Sequence, residues 1–470
     1  MNIILKKIAG IGELLNQLSL KYLLVFIGII YVSLCMFFTY ERSLNTDCSY
    51  QLFNIVNKKS FFFQEYRFGV FITQIPLIIA VFFKLPIILL INLYSLSFPI
   101  LYSIICWICF RFLRSKEAAL AIALSMITGV GATFFHFITE THLLIVISCL
   151  TYAILQNNIT YRHAWYQTFF LFIAISWAFI THPNALFTIV FVVGLSFIQK
   201  KQTLKKSLII LLFIGLLMAL KIWLTPKGSY DSNLYNELLL FKDKIGNIQS
   251  LNSVQFILAR FRQLYVPVLI MLIVISIYYK KKWEILFTLI SFSLYTLLSI
   301  ITFSNGDSDA MMEKSFMPGI FMIVLVLSVL ICNDKQFSNA NIMIIALSLF
   351  SFWGIHKASR PYAQRIDLLT TILSQTDSEY PKIIASFSDY NIEVLKYCEW
   401  ATSIDTLLLS LCLSDKPQTL FIVNNKEEYA NDLKNKNIFE YLPWKQIQLN
   451  ELNADYFKFP DVPYKLNTNN

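Results

Sequence analysis

The sequence is poor in charge, since only 14% of its 470 residues are charged whereas 56% are hydrophobic. An ordinary soluble domain carries about 25% charged residues, so this composition excludes a soluble enzyme of one or two domains. The 8 cysteines are scattered without a metal-ligand spacing, which excludes a disulfide framework and a zinc site. Cys106 and Cys109 form a CxxC pattern inside an apolar run, and this setting favours buried packing residues over a redox pair.

The sequence also lacks a cleavable signal and internal repeats. Its first apolar run, residues 20–38, has no small-residue cleavage site, which predicts a retained signal anchor. The absence of repeats disfavours a transporter built from duplicated halves.

Apolar segments, in contrast, are abundant and recur up to about residue 355. A bilayer core requires about 20 apolar residues in a helix. We therefore expect a polytopic α-helical membrane protein with about 11 transmembrane helices. The expected spans lie near residues 20–38, 86–110, 118–135, 141–156, 165–181, 184–199, 207–224, 264–279, 285–303, 315–332 and 339–355.

One further apolar segment, Phe68–Phe83, is short and contains Gly69 and Pro76. Its length favours a helix that lies on the membrane surface. With this segment outside the bilayer, the basic clusters Lys200–Lys206 and Lys280–Lys282 fall in cytoplasmic loops, as the positive-inside rule requires. We expect a cytoplasmic N-terminus and an extracytoplasmic tail. The net charge of +10 then reflects a basic inner rim and indicates no nucleic-acid partner.

After residue 355 the composition becomes that of a soluble segment. Apolar β-like runs at Lys382–Phe387 and Thr419–Val423 alternate with helix-like stretches at Ile392–Leu413 and Lys426–Lys436. This alternation predicts a small α/β domain. The expected domains are a transmembrane domain at 1–355, with outer-face loops at 40–85 and 225–263, and a soluble extracytoplasmic α/β domain at 356–470.

The first outer loop carries the first candidate site residues. Asp47, preceded by Thr46, stands at the start of a pattern with helical spacing. Asp47 would serve either as a helix cap or as a carboxylate held at the membrane surface, and its spacing leaves both roles open. Glu65 and Arg67 follow in the same loop.

A second group lies in an otherwise apolar stretch and consists of His136, Glu140 and His142. Burying ionisable groups in an apolar stretch costs free energy, so such groups mark functional sites. The alternative is a turn at the membrane interface whose histidine side chains extend to the water. His136 and Glu140 are four residues apart and would share a helix face, whereas Glu140 and His142 suit a tight turn. His182 and Asn184 form a third, weaker candidate turn.

Basic residues of the later outer loops suit a lipid-linked phosphate or pyrophosphate. They are Arg260 and Arg262, which end the second long loop, and Lys314. Ordinary lipid head groups are an equally good partner. Asp307 and Asp309 form a DxD-like pair, for which a simple turn is also a sufficient explanation.

This layout resembles the GT-C superfamily of integral-membrane glycosyltransferases, which use polyprenyl-phosphate or related lipid-linked sugar donors. The matching features are an outer loop that opens with Asp47, a surface helix ending in Lys84-Leu-Pro86, and a basic cytoplasmic turn at Arg111–Lys116. The resemblance implies that Asp47 is the catalytic carboxylate and that Glu140, followed by His142, is a second acidic motif. The chain departs from many members in carrying a single acid at Asp47 rather than a pair.

The expected function is transfer of a sugar, with inversion, from a lipid-linked donor to a cell-envelope glycan, lipid or protein acceptor. The reaction would take place at the outer face of the plasma (inner) membrane, with Asp47 and Glu140 as catalytic residues. A lipid-linked oligosaccharide polymerase or ligase that relies on Arg260 and Arg262 is one alternative. A transporter or flippase without enzymatic activity is the other.

The sequence does not identify a cofactor. Histidine and carboxylate side chains are common metal ligands, so a divalent ion is the cofactor that this group would hold. The expected substrate-binding residues are Glu65, Arg67, His142, His182, Asn184, Arg260, Arg262 and Lys314, and the candidate metal ligands are Asp47, His136, Glu140 and His142.

Overall fold

The chain is helical as far as Gln375 and forms a small α/β unit after it. Helices dominate because long apolar runs must pair their backbone groups within the segment. A computed structural model describes residues 19–64, 66–138, 140–157, 164–229, 231–232, 236–237, 241–278, 282–304, 306, 308–333, 340–375, 381–390, 400–414, 416–424, 436–442 and 445–466.

The described helices before the tail alternate between long apolar segments and short connecting pieces. They are α1 (Leu20–Phe37), α2 (Thr39–Ser43), α3 (Asp47–Lys58), α4 (Phe71–Phe82), α5 (Ile87–Arg111), α6 (Lys116–Ser125), α7 (Ala132–Phe135), α8 (Glu140–Gln156), α9 (Ala164–Thr181), α10 (Ala185–Ile198), α11 (Leu204–Leu224), α12 (Phe241–Gly246), α13 (Asn252–Leu264), α14 (Val266–Tyr278), α15 (Lys282–Thr302), α16 (Asp309–Asn333) and α17 (Ala340–Gln375).

Within the described residues, 6 helices are long and apolar enough to cross a membrane, namely α1, α5, α11, α15, α16 and α17. The expected spans at 141–156, 165–181, 184–199 and 264–279 are present as shorter apolar helices. These lengths and compositions are those of a polytopic helical membrane protein, and the count of eleven spans stays a prediction.

The span expected near residues 118–135 is wrong as a single helix. α6 ends at Ser125, Gly129 has a φ of +73°, and α7 starts only at Ala132. A positive φ suits glycine and ends a helix. The freed backbone N–H groups at the start of α7 donate to Glu313 of α16 over 2.9 to 3.1 Å, so the break costs no unpaired donor there.

The centre of the bundle is α16, whose sequence is apolar on every side. In its most apolar window 94% of the residues are buried, against 17% in α11. A helix that is hydrophobic all round belongs in a core. α16 packs mainly against α6 and α15, and its first turns lie beside the start of α7.

The short apolar segment at 68–83 forms a 3-10 turn, Phe68–Val70, followed by α4, so its prediction as a short helix is confirmed. Because Gly69 has no side chain, this turn packs closely against the end of α9. The indole N–H of Trp177 donates to the Gly69 carbonyl over 2.9 Å, and a Cβ on Gly69 would lie 2.7 Å from the Thr181 Cα. This close approach places Arg67 against the bundle.

The described residues of the tail form two small sheets and one α-helix. β1 (Lys382–Ser386) lies between β2 (Thr419–Val423) and β5 (Lys465–Leu466) in a parallel sheet, and β3 (Ile438–Leu442) pairs with β4 (Lys445–Gln448) in antiparallel fashion. The strands predicted at 382–387 and 419–423 are confirmed.

The tail differs from expectation at three points. The helix expected at 392–413 is described as α18 (Thr402–Ser414), and residues 391–399 lie outside the described residues, as does the helix expected at 426–436 except for its last residue. The boundary expected after residue 355 is wrong, because α17 continues through it to Gln375. The change in composition marks where α17 becomes amphipathic, with Ile366 and Leu369 still buried.

Candidate functional site

Asp47 is the first residue of α3, as the sequence predicts. The turn before it is strained, because Thr46 has φ +42° and ψ −106°, which is an outlier for a β-branched residue. Asp47 is half-buried, and its carboxylate has no hydrogen bond or ion pair with any described residue. It therefore does not act as a helix cap.

Arg67 bridges two carboxylates from different parts of the chain, an arrangement that we call the Arg67 clamp. Its Nη1 donates to Glu140 Oε2 over 2.9 Å, and its Nη2 donates to Asp231 Oδ1 over 2.8 Å. The three side chains are 11%, 10% and 5% exposed. Burial lowers the pKa of Arg67, but the two carboxylates raise it above its ordinary value. Glu140 is therefore not a free acid and Arg67 is not a free cation, because Arg67 binds both Glu140 and Asp231.

Lys314, near the start of α16, is a cation that acts on several groups of the site. It is half-buried and makes no hydrogen bond or ion pair with a described residue. Its charge acts on His136, His142 and His182, and on the thiol of Cys48. The charges of both Asp47 and Lys314 act on the Cys48 thiol, so the carboxylate and the ammonium belong to one region.

Two histidines of this region, His136 and His182, are neutral near pH 7. Burial, together with Lys314 and Arg365, lowers the pKa of His136 to about 3. Burial and nearby cations, Arg67 first among them, hold the pKa of His182 well below its usual range. A neutral imidazole supplies one donor and one acceptor, so these rings add hydrogen-bonding capacity and no positive charge.

His136 and Glu140 do not share a helix face, and this prediction is wrong. α7 ends at Phe135, and Glu140 begins α8, so the two residues do not belong to one helix. The Nε2 of His136 lies 3.3 Å from the Nδ2 of Asn45. Glu140 and His142 also do not form a tight turn, because both lie in the first turn of α8.

The predicted turn between α9 and α10 is confirmed and is tied to α16. The Asn184 backbone N–H donates to His182 Nδ1 over 3.1 Å. The Asn184 side chain donates to Tyr295 Oη over 3.1 Å, and that hydroxyl donates to the Ser315 carbonyl over 2.8 Å. The Asn184 side-chain amide is therefore linked through Tyr295 to Ser315, the residue next to Lys314.

Sequence reasoning did not select Asp231, Glu313 or Arg42. Arg42 is fully buried, donates to the Phe134 carbonyl over 2.6 Å and lies 4.3 Å from the Phe134 ring centroid. Charged residues at the edges of apolar segments are functional candidates by default. Arg42 and Glu313 both stand at such edges, so this rule could have identified them. Asp231 gave no such signal, because its partner Arg67 is 164 residues away.

The remaining candidates are only partly described. Arg260 pairs with Asp309, and this pair is 39% and 46% exposed, so it contributes little. Glu65, Asp307 and the side chain of Arg262 lie outside the described residues.

The side chains that the structure describes do not fit a metal ion. Among the side chains that are described, no group of three or more His, Cys, Asp or Glu lies close enough to hold one. The Arg67 clamp takes up Glu140, and His136 faces Asn45. The candidate ligands that do not form such a group are Asp47, His136, Glu140 and His142.

Fold and site together define a predominantly helical protein with the helix lengths of a polytopic membrane protein. Asp47 and Lys314, which have no ion pair with a described residue, lie in one region together with the buried His136. No protein-family model, no curated protein and no solved structure matches the chain. Function therefore rests on the residues of the site.

Proposed function

We propose that the protein is a multi-pass membrane glycosyltransferase that moves a sugar from a polyprenyl-phosphate donor to a cell-envelope glycan, lipid or protein. The observation that carries the proposal is that Asp47 has no hydrogen bond or ion pair with any described residue. Four other carboxylates of this part of the molecule are held by cations or by backbone N–H groups: Glu140, Asp231, Asp309 and Glu313.

In the proposed reaction Asp47 accepts the proton of the acceptor hydroxyl. The acceptor oxygen then attacks the anomeric carbon of the donor sugar from the face opposite the phosphate. A new C–O bond forms as the bond between that carbon and the phosphate oxygen breaks, which inverts the configuration. The electron pair leaves with the lipid phosphate, and the proton leaves later from Asp47.

Lys314 is the residue proposed to stabilise the leaving phosphate. Positive charge placed where negative charge develops lowers the barrier, and Lys314 has no ion pair with a described residue to compete for it. The rings of His142 and His182 lie within electrostatic range of Lys314 and would hydrogen-bond the phosphate or the acceptor. Glu140 and Arg67 act as positioning residues, because each already holds the other.

The proposed setting is the plasma (inner) membrane, with the site at its outer face. This orientation has the support of the basic clusters at Lys200–Lys206 and Lys280–Lys282, which it assigns to cytoplasmic loops. The absence of sequence repeats disfavours a transporter.

The test is a transfer assay in lipid nanodiscs with a panel of labelled polyprenyl-phosphate sugars and envelope acceptors. Asp47→Asn is compared with Asp367→Asn, a control on the exposed side of α17. We expect Asp47→Asn to lower kcat by roughly 10²-fold or more, the usual contribution of a general base. We expect the control to match the wild type. Equal rates in the two variants would refute the role of Asp47.

Lys314 is tested in the same assay. Lys314→Met is expected to slow transfer strongly, whereas Lys314→Arg, which keeps the charge, should retain most of the rate. Loss of activity in both variants, with folding intact, would show that packing and not charge is what Lys314 supplies.

A further inference from the structure

The tail reaches the turn that precedes Asp47. Asp405 of α18 is fully buried and binds Arg365 of α17. Arg365 Nη1 in turn donates to the Leu44 carbonyl over 2.7 Å. The tail, the last long helix and the backbone just before Asp47 are thus joined through two charged side chains that are 3% and 0% exposed.

Asp405 also lies near residues on both sides of Asp47. Burial raises the pKa of Asp405, whereas Arg365, the Ser49 hydroxyl and the Thr46 N–H favour its charged form. Ser49 donates to the Thr46 carbonyl over 2.8 Å, which closes the same turn from inside. The buried carboxylate therefore faces the turn from which α3 starts.

That turn requires external support. Thr46 occupies φ +42° and ψ −106°, close to the first central position of a type II′ turn, where glycine is preferred. Such a conformation in a β-branched residue persists only where the surroundings over-determine it, and such outliers cluster at functional sites. Among the described residues no side chain caps this helix end. The Arg365 side chain, which Asp405 holds, is one restraint on the turn beside the Ser49 hydrogen bond.

We propose that Asp405 and Arg365 are positioning residues that hold the Thr46 turn and thereby aim the Asp47 carboxylate. The tail is then a working part of the site, although Asp405 itself touches no substrate. The proposal rests on the proposed function for the reaction that Asp47 performs.

The kinetic test compares Asp405→Asn with Asp455→Asn. Asp455 is a tail carboxylate that binds Lys59 and Lys84, so its substitution breaks another link from the tail and leaves the Thr46 turn intact. We expect Asp405→Asn to lower kcat about tenfold or more with little change in the donor KM, since misplacement of a reacting group acts on the chemical step. A kcat equal to that of the control would overturn the proposal.

A thermal-stability cycle keeps the proposal testable without any transfer assay. Glycine adopts the Thr46 conformation freely, so Thr46→Gly should lower Tm less in the Asp405→Asn protein than in the wild type, or raise it there. Arg365→Lys, which keeps the charge but loses the fork that spans Leu44 and Asp405, replaces Asp405→Asn if that variant fails to fold. Additive Tm changes would overturn the positioning role.

The two proposals fail separately. If the wild type transfers no sugar from any donor, the proposed function falls, and the Tm cycle still decides whether Asp405 holds the turn. If Asp47→Asn abolishes transfer but Asp405→Asn behaves like the Asp455 control, the proposed function stands and the positioning role falls.

Discussion

Replacing Arg67 with leucine removes the cation between two buried carboxylates. Both hydrogen bonds are short, at 2.9 and 2.8 Å, and no side chain of the clamp is more than 11% exposed. An exposed ion pair contributes about 0 to 1 kcal/mol, but breaking a buried one leaves an uncompensated charge and costs about 3 to 5 kcal/mol. Here two carboxylates lose their partner, so we expect Arg67→Leu to destabilise the protein by at least about 3 kcal/mol.

The assay is reversible unfolding in mixed micelles. The matched control is the triple variant Arg67→Leu, Glu140→Gln and Asp231→Asn, which removes all three charges together. Because no buried charge is then left alone, we expect this variant to regain much of the lost free energy of unfolding. A loss of about 1 kcal/mol or less in Arg67→Leu, the size expected of a surface pair, would refute the buried clamp.

Two further outcomes are expected. His136 should make folding pH-dependent, because its pKa is lowered from 6.5 to about 3. Between these two pH values the unfolded chain binds a proton that the folded chain does not bind. The free energy of unfolding therefore decreases as the pH falls through this range. His136→Gln should flatten that dependence in melts recorded between pH 7 and 5, and identical slopes would contradict the assignment. Gly69→Ala should lower the free energy of unfolding by about 1 to 3 kcal/mol through overpacking, since its Cβ would lie 2.7 Å from the Thr181 Cα. Gly215→Ala, whose Cβ would meet nothing within 4 Å, should be neutral or stabilising, and an equal loss in both variants would show that crowding is not the cause.

Features encoded by nearby residues could be predicted from the sequence. The start of α3 at Asp47, the turn at His182 and Asn184, and the two strands of the parallel sheet follow from local spacing of apolar and polar residues. Local patterns of this kind depend on a few neighbouring residues, so the folded structure retains the elements that they predict.

Long-range pairings could not be predicted. Arg67 and Asp231 meet across 164 residues, and Glu313 bonds the start of α7 across more than 180. These pairings decide which charges stay free, and therefore separate Asp47 and Lys314 from the other charges near them. The break after α6 has the same origin, because Glu313 satisfies N–H groups that a longer helix would have paired internally.

The continuity of α17 affects how the protein can be divided for expression. A truncation after residue 355 would cut through a 36-residue helix and expose the face formed by Ile366, Leu369 and Leu373, which is buried in the intact chain. It would also separate Arg365 from Leu44. Neither fragment would end at a domain boundary. The tail fragment would expose an apolar face and would therefore tend to aggregate.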